Sequence, residues 1–308
     1  TELNLRKGKV MNMKKFTKIT AIVLSVLFVA SCFAACSSNS GDDANNDSKS
    51  SNTAKVKVID IELSSEEYAF GVDKSQPELL EKANAFIKEI KENGKLDEVC
   101  NHYFGDGEPV AVTSATEDSS KDQLVVATNA EFEPFEFKKG DSFYGIDMEI
   151  AKLFADELGK ELVIKDMKFE SVVTSVQQKK CDIAMAGLTV SKERAEMVNF
   201  TDSYYSASQK LVVKGDDTTF DSCKTKEDVE KILNGFDASI KIGGQNGTTG
   251  QSYVQGSEDL GFAGLKATFV GYDNGSLAIQ DLINGGVNYV IIDAAPASAI
   301  TTAINAVA

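Results

Sequence analysis

Asp182-Ile183-Ala184-Met185-Ala186-Gly187-Leu188-Thr189-Val190-Ser191-Lys192-Glu193-Arg194 is the stretch on which the reading of this chain turns. The apolar run Asp182 to Ala186 reads as a buried strand that breaks at Gly187. Ser191 then stands as an N-cap and places Arg194 in the first turn of a short helix. The unpaired N–H groups of that turn and the Arg194 guanidinium are expected to converge on one point. Such a point suits a small anion, because the N–H groups carry partial positive charge and the planar fork of arginine matches a carboxylate at two atoms. The competing reading is an arginine that is simply solvated on a helix surface.

Working outward, strand-like and helix-like segments alternate from Gln123 onward. Leu124 to Ala127 reads as a strand. Asp147 to Leu158 reads as a helix with Met148, Ala151, Phe154, Ala155 and Leu158 on one face and Gly159 at its end. Leu162 to Ile164, a helix Ser171 to Gln178 and a strand Cys181 to Ala186 complete a first βαβ set. A second begins after Tyr205: a strand Leu211 to Val213, a helix capped by Thr225, and a strand Ser239 to Ile242 running into the glycine-rich loop 243–250. The strand Ala267 to Val270, the helix Ser276 to Ile283 and the apolar strand Tyr289 to Ile292, ending in Asp293, follow. The pattern predicts two α/β lobes, each with a mostly parallel sheet. In open sheets of this kind a ligand lies at the carboxyl ends of the strands, which places Gly187, the 243–250 loop and Asp293 within its reach.

The segment that precedes this is of a different kind. Val56 to Ile61 and Tyr68 to Val72 read as strands. Ser75-Gln76-Pro77-Glu78 has the form of a capping box opening a helix with Leu79, Leu80, Ala83, Phe86, Ile87 and Ile90 inward, ended by Asn93-Gly94. Lys95 to Tyr103 reads as a further short helix, with His102 as an exposed side chain, and 106–121 as a polar linker.

Composition narrows the function. A net charge of −15 with no basic stripe argues against nucleic acid, whose affinity comes from cations on phosphates. His102 is the only histidine in the 308 residues, so there is no material for a histidine-rich metal site. Cys100, Cys181 and Cys223 are odd in number and lack metal spacing, and read as unpaired thiols. Near the start, Lys14, Lys15 and Lys18 precede the uncharged run Ile19 to Ala35, which is the layout of a secretory signal, with translation expected from Met11 or Met13. Val29-Ala30-Ser31-Cys32 and Phe33-Ala34-Ala35-Cys36 both resemble the lipobox of bacterial lipoproteins. Cys32 fits better because an aliphatic residue stands three before it, with Cys36 as the alternative. Residues 37–54 carry hardly an apolar side chain and are expected to form a tether.

Several motifs together resemble the periplasmic-type solute-binding proteins of ABC importers, in the branch that binds polar amino acids. Gly145-Ile146-Asp147-Met148-Glu149-Ile150 with Ala155 is similar to the family signature, departing at Phe154. The stretch Ala127 to Phe137 looks like the first strand and pocket loop of the family. Ala186-Gly187-Leu188-Thr189 with Arg194, and Phe200 to Tyr205, look like its carboxylate site and first hinge, and Gly247-Thr248-Thr249 and Asp293 with Pro296 look like its second lobe. These matches cover about Asp122 to Ala308. Lys55 to Gly105 resembles the part of the family's chain that would follow, through Tyr68 to Val72, Pro77 to Leu80, Glu92 to Leu96 and Tyr103 to Gly105. The resemblance therefore implies a circularly permuted chain, the alternative being a rearranged coding sequence.

That resemblance implies two doubly wound α/β lobes joined by a two-strand hinge, the type II periplasmic binding protein fold, with crossings near Ser64–Tyr68 and Tyr204–Ser208. The expected divisions are 1–36 leader and signal, 37–54 tether, 55–64 return strand of lobe 2, 68–105 helical part of lobe 1, 106–121 linker, 122–204 lobe 1 and 208–308 lobe 2. It implies a monomer without cofactor or metal, held outside the membrane by a lipid anchor, which delivers a free amino acid to permease subunits. Arg194 and the N–H groups around Thr189 would hold the ligand carboxylate, beside Gly187 and Thr249, and Asp293 would hold its ammonium. Phe132 and Phe169 would stack on the side chain, with Gln245, Thr248 and Asn129 setting polarity. Asn129 stands where relatives that bind cationic side chains have aspartate, which points to a polar or neutral ligand. A dehydratase-like enzyme on the same fold would need an acid in the cleft, for which Glu131, Glu133 and Glu170 are the candidates. A ligand-sensing module is the third reading.

Overall fold

The structure is a computed structural model that describes residues 54–307; the leader, the lipobox cysteines Cys32 and Cys36 and almost all of the expected tether lie outside the described residues. Two five-stranded sheets form the frame. The first runs in the order Val198–Phe200, Gly71–Asp73, Ile183–Ala184, Gln123–Thr128, Glu161–Asp166. The second runs Val56–Ile59, Gln209–Lys214, Tyr289–Asp293, Lys241–Gln245, Thr268–Tyr272. In each, four strands run one way and one runs against them, Gly71–Asp73 in the first and Gln209–Lys214 in the second, so the sheets are mostly parallel in strand direction, as the βαβ pattern predicts. The N-terminal segment completes both sheets: Gly71–Asp73 enters the first between Val198–Phe200 and Ile183–Ala184, antiparallel to both, and Val56–Ile59 forms an edge of the second, antiparallel to Gln209–Lys214.

A two-stranded ribbon connects the sheets. Glu66–Tyr68 pairs antiparallel with Tyr205–Ala207, Tyr68 opposite Tyr205 and Glu66 opposite Ala207. The strand expected over Tyr68 to Val72 is therefore two strands, Glu66–Tyr68 in the ribbon and Gly71–Asp73 in the sheet. Both strands of the ribbon lie where the family resemblance implies the crossings.

Helices cover the first sheet with apolar faces of period 3.6. Pro77–Glu92 turns Leu79, Ala83, Phe86, Ile87 and Ile90 inward, and Phe86 meets Phe154 of the helix Ile146–Glu157 with ring centroids 5.1 Å apart. Burying side chains of this size contributes about 1.5–3 kcal/mol each, so the N-terminal helix belongs to the same core as the body. Gly145 precedes Ile146–Glu157 at φ +121°, and a Cβ there would lie 2.1 Å from the Phe135 carbonyl oxygen, so only glycine fits.

Four local expectations need correction. Ser75 does not cap its helix: Gln76 is the N-cap without a side-chain bond, and the Ser75 hydroxyl instead bonds Asp73 at 3.0 Å. Pro77 at the first helical position already supplies the start signal. The third strand is only Ile183–Ala184: Met185 N–H still bonds the Ala127 carbonyl at 3.0 Å, and the backbone then bends at Ala186 and Gly187. His102 is not exposed: its Nδ1 lies 2.7 Å from Oε2 of Glu149, whose Oε1 accepts from the Tyr103 hydroxyl and the Val110 N–H. The 106–121 linker is a strap laid on the first lobe, with Val112 buried and bridged to Phe143 and the Ser114 hydroxyl accepting from Ile164 N–H. Glu149 and Val112 hold it there by polar and apolar contacts that composition does not reveal.

Candidate functional site

The cleft between the lobes is built from strand ends. Gln123–Thr128 delivers Asn129, Lys241–Gln245 ends in Gln245, and Tyr289–Asp293 ends in Asp293. Ser191 caps the helix Lys192–Met197 as the sequence predicts, accepting from Arg194 N–H at 3.2 Å. That fixes Arg194 on the cleft side, half-buried, with its guanidinium carbon 5.3 Å from the centre of the Phe169 ring.

Arg194 spans the two walls. Nη1 donates to the Thr189 carbonyl at 2.7 Å in the first lobe, and Nη2 to the Gly247 carbonyl at 3.0 Å in the second. Burial lowers the guanidinium from its ordinary value while the nearby charges of Asp293, Glu66 and Tyr68 pull it back. It remains cationic because the ordinary value is so high. The first-turn N–H groups do not converge with it as expected. Lys192 and Glu193 N–H donate to the Asp259 carboxylate of the second lobe at 3.1 and 3.0 Å, so an acid of the protein itself takes that position.

The opposite pole is acidic. Asp293 is 5% exposed, and its Oδ1 accepts from the Tyr68 hydroxyl at 2.5 Å. Burial, then the charge of Glu66, pushes its carboxyl up to about 7. Glu66, 6% exposed, accepts from Ser64, Gln209 and the Thr189 hydroxyl, at 2.8 Å for the last. Thr249 donates in turn to Thr189 at 3.1 Å. A hydroxyl chain thus joins the second lobe, the first lobe and the hinge ribbon at one point.

Behind that point the loop at Gly187 is fixed by a third acid. Asp147, fully buried, accepts from Gly187 N–H at 2.8 Å and the Tyr204 hydroxyl at 2.6 Å. Gly187 sits at φ +52°, and a Cβ on it would meet the Phe132 ring at 2.9 Å. Phe132 is buried against Phe135, with ring centroids 6.1 Å apart.

Farther along the cleft, Asn129 and Gln245 meet directly: Gln245 Nε2 donates to Asn129 Oδ1 at 2.8 Å, and Thr248 donates to the Gln245 carbonyl at 2.8 Å. Lys168 with Asp273 and Asn274 with Glu131 cross the cleft at its rim. The ten residues singled out by sequence are therefore gathered along one cleft. Glu66, Tyr68, Asp147 and Asp259 were not singled out for it. Three of them are acids, whose role depends on what faces them; Asp147 carried a motif only as part of the family signature, and Tyr68 only as a hinge strand. Glu131, Glu133 and Glu170 are exposed.

Two α/β lobes on a two-stranded hinge, closing on a polar cleft with an arginine on one wall and an acid on the other, define the ligand-trapping class of type II periplasmic binding proteins. The sequence profile of the bacterial extracellular solute-binding proteins, family 3, matches residues 124–287, more than half of the chain, and the protein belongs to that family. The arginine-binding extracellular protein ArtP of Bacillus subtilis (strain 168) is 39% identical over 99 residues, 32% of this chain and 39% of that protein. ABC transporter arginine-binding protein 1 of Escherichia coli (strain K12) is 28% identical over 179 residues, 58% of this chain and 65% of its own. The matched part thus spans less than two thirds of these relatives. Among solved structures, an ancestral arginine-binding protein bound to arginine is 34% identical with a TM-score of 0.50, over 59% of this chain and 75% of that one. The ancestral amino acid-binding protein AncCDT-1, a precursor of cyclohexadienyl dehydratase, is 30% identical at the same TM-score, over 59% and 74%.

Proposed function

We propose that this protein is the extracytoplasmic receptor of an ABC importer, a monomer that captures an amino acid with a polar or neutral side chain and passes it to the permease. One observation carries the reading: Arg194 and Asp293 belong to different lobes, yet lie close enough for the acid's charge to act on the guanidinium. An amino acid has a carboxylate and an ammonium that are both costly to strip of water, and a buried site must offer each a partner. Arg194, with the N–H groups near Thr189, takes the carboxylate beside Gly187 and Thr249, and Asp293 takes the ammonium. Phe132 and Phe169 flank the side chain, and Asn129, Gln245 and Thr248 set its polarity. Because the two poles belong to different lobes, both are satisfied only in the closed form, and ligand binding shifts the hinge equilibrium.

The segment 1–36 is read as a leader whose Cys32, or Cys36, carries the lipid that holds the protein at the membrane. The chain order is read as permuted. A contact between two described elements supports this: the Asn305 side chain accepts from Lys55 N–H at 2.9 Å and donates to the Val56 carbonyl at 2.8 Å, so the helix Ala294–Ala306 lies against the strand Val56–Ile59.

Calorimetric titration with the twenty common amino acids tests the function. At least one should bind, and Arg194→Ala should lose that binding while remaining folded by circular dichroism. If none binds, the reading fails. An enzyme is the second reading, favoured by one observation: Asp293, with its carboxyl raised to about 7, is placed in the cleft where a general acid would stand. Ligand recovered unchanged after long incubation, followed by proton NMR, excludes it.

A further inference from the structure

Glu66 belongs to the hinge ribbon, yet it is buried and its carboxylate receives three donors. Oε1 accepts from the Ser64 hydroxyl and from Gln209 Nε2 at 3.1 Å, and Oε2 accepts from the Thr189 hydroxyl at 2.8 Å. Gln209 opens a strand of the second lobe and Thr189 belongs to the first, so one hinge carboxylate holds a side chain from each. A carboxylate can only accept, so the Thr189 proton is committed to Glu66 and the Thr189 oxygen is left as an acceptor. Thr249 of the second lobe supplies the donor for it, at 3.1 Å. The direction of the chain, from Thr249 to Thr189 to Glu66, is therefore set from the hinge. The loop carrying Thr189 lies along the same ribbon: Ala69 N–H donates to the Leu188 carbonyl at 3.1 Å, and Val190 N–H to the Glu67 carbonyl at 3.0 Å. Glu66 and Thr189 also form part of the wall of a cavity of about 530 Å³, with Val190, Lys226 and Phe262. On that side no packed side chain holds them, and their register depends on the hydrogen bonds.

We infer that Glu66 is a positioning residue for capture: it sets the Thr189 hydroxyl as the acceptor that Thr249 of the other lobe meets on closure, and thereby couples closure to the hinge ribbon. This rests on the amino-acid-binding reading above and deepens it. Other contacts across the cleft are less suited to the role. Lys168 with Asp273 and Asn274 with Glu131 stand exposed at the rim, where water and salt screen them. Thr189 and Thr249 are each 4% exposed, and a buried chain that ends on a charge is strengthened along its length. When the lobes part, the Thr249 donor is lost while Thr189 stays with Glu66. The loop that accepts from Arg194 through the Thr189 carbonyl thus keeps its place on the ribbon, and the closed form is favoured through Thr249.

The test follows, by stopped-flow, the release of whichever common amino acid binds tightest in the titration. Glu66→Gln, whose amide has one acceptor oxygen for two sides, should speed release about tenfold or more with association changed less than about threefold. Thr249→Val should speed release about threefold or more, and Thr249→Ser should restore it. Glu66→Gln also removes a charge beside Asp293 and Arg194, so the double variant with Thr249→Val isolates the chain. It should release within about twofold of Glu66→Gln alone, because a broken chain has nothing further to lose. Effects that multiply, or a Glu66→Gln rate equal to wild type, overturn the inference while leaving the amino-acid reading intact. Should Glu66→Gln not fold, Thr189→Val takes the donor from the carboxylate directly and should exceed Thr249→Val by about threefold or more; equal rates overturn the inference. If no amino acid binds, the capture reading fails, and small-angle X-ray scattering of the protein without ligand decides: Glu66→Gln should enlarge the radius of gyration, and an unchanged one overturns the inference.

Discussion

Asp293 and Asp147 hold their protons unusually tightly for carboxyls. Burial is the first cause in both, with the Glu66 charge adding at Asp293, and each is raised to about 7 against about 3.9 in an unfolded chain. Between those values the folded protein binds more protons than the unfolded one, so the stability contributed by these groups is full at low pH and is lost as pH rises towards 7. Glu136, also fully buried and raised first by burial, acts in the same sense. Surface acids such as Asp259 are shifted the other way, and their contribution is complete above about pH 5. The unliganded melting temperature should therefore fall between pH 5 and 8; a flat or rising profile would contradict the assignment. Ligand affinity should move oppositely, because the ammonium needs Asp293 ionised, and binding near pH 7 should release a proton, detectable as a buffer-dependent heat. Tyr68→Phe removes the donor at 2.5 Å from Asp293 and should weaken ligand binding by about tenfold or more, since hydrogen bonds to charged groups are worth about 1.5–3 kcal/mol.

At the scale of single elements, two helix starts that look alike in sequence behave differently. Thr225 and Asp228 form a full capping box on the helix Lys226–Leu233, whereas Ser75 gives its hydroxyl to Asp73 and Pro77 starts the helix. Thr225→Ala should cost about 1 kcal/mol in urea unfolding, and Ser75→Ala should cost less because no cap bond is lost. The helix Lys192–Met197 is a different case, since its first N–H groups are met by Asp259 across the cleft. Asp259→Ala removes a contact made only when the lobes are together. Stopped-flow measurement should show faster ligand release with a nearly unchanged association rate.

On the scale of the molecule, the last helix and the first described strand meet through Asn305, and the strap 106–121 leads from the helix Lys95–Phe104 to the strand Gln123–Thr128. A chain rearranged to begin at residue 122, run to 308 and continue from 55 to 105 should fold to the same two lobes and bind the same ligand. Loss of folding in that rearranged chain would show that the strap is indispensable. Ligand at a hundred times its dissociation constant should add about 2.7 kcal/mol of stability to either chain order.

Periodicity alone determined much of this protein. The helix Ile146–Glu157 and the apolar strand Tyr289–Asp293 were legible because an inward face repeats every 3.6 or 2 residues whatever lies across from it, whereas the ribbon crossings came from the family resemblance. Arg194 and Asp293 were legible because one stands in the first turn of a helix with a clear N-cap and the other ends an apolar strand. What only the tertiary structure decided is which groups face one another: that Asp259 occupies the N–H groups below Arg194, that Glu66 stands beside Asp293, and that Gln245 meets Asn129. Those pairings join residues far apart along the chain, and a hydrogen bond or a raised carboxyl is fixed by the distance between two groups in space, which no local pattern records.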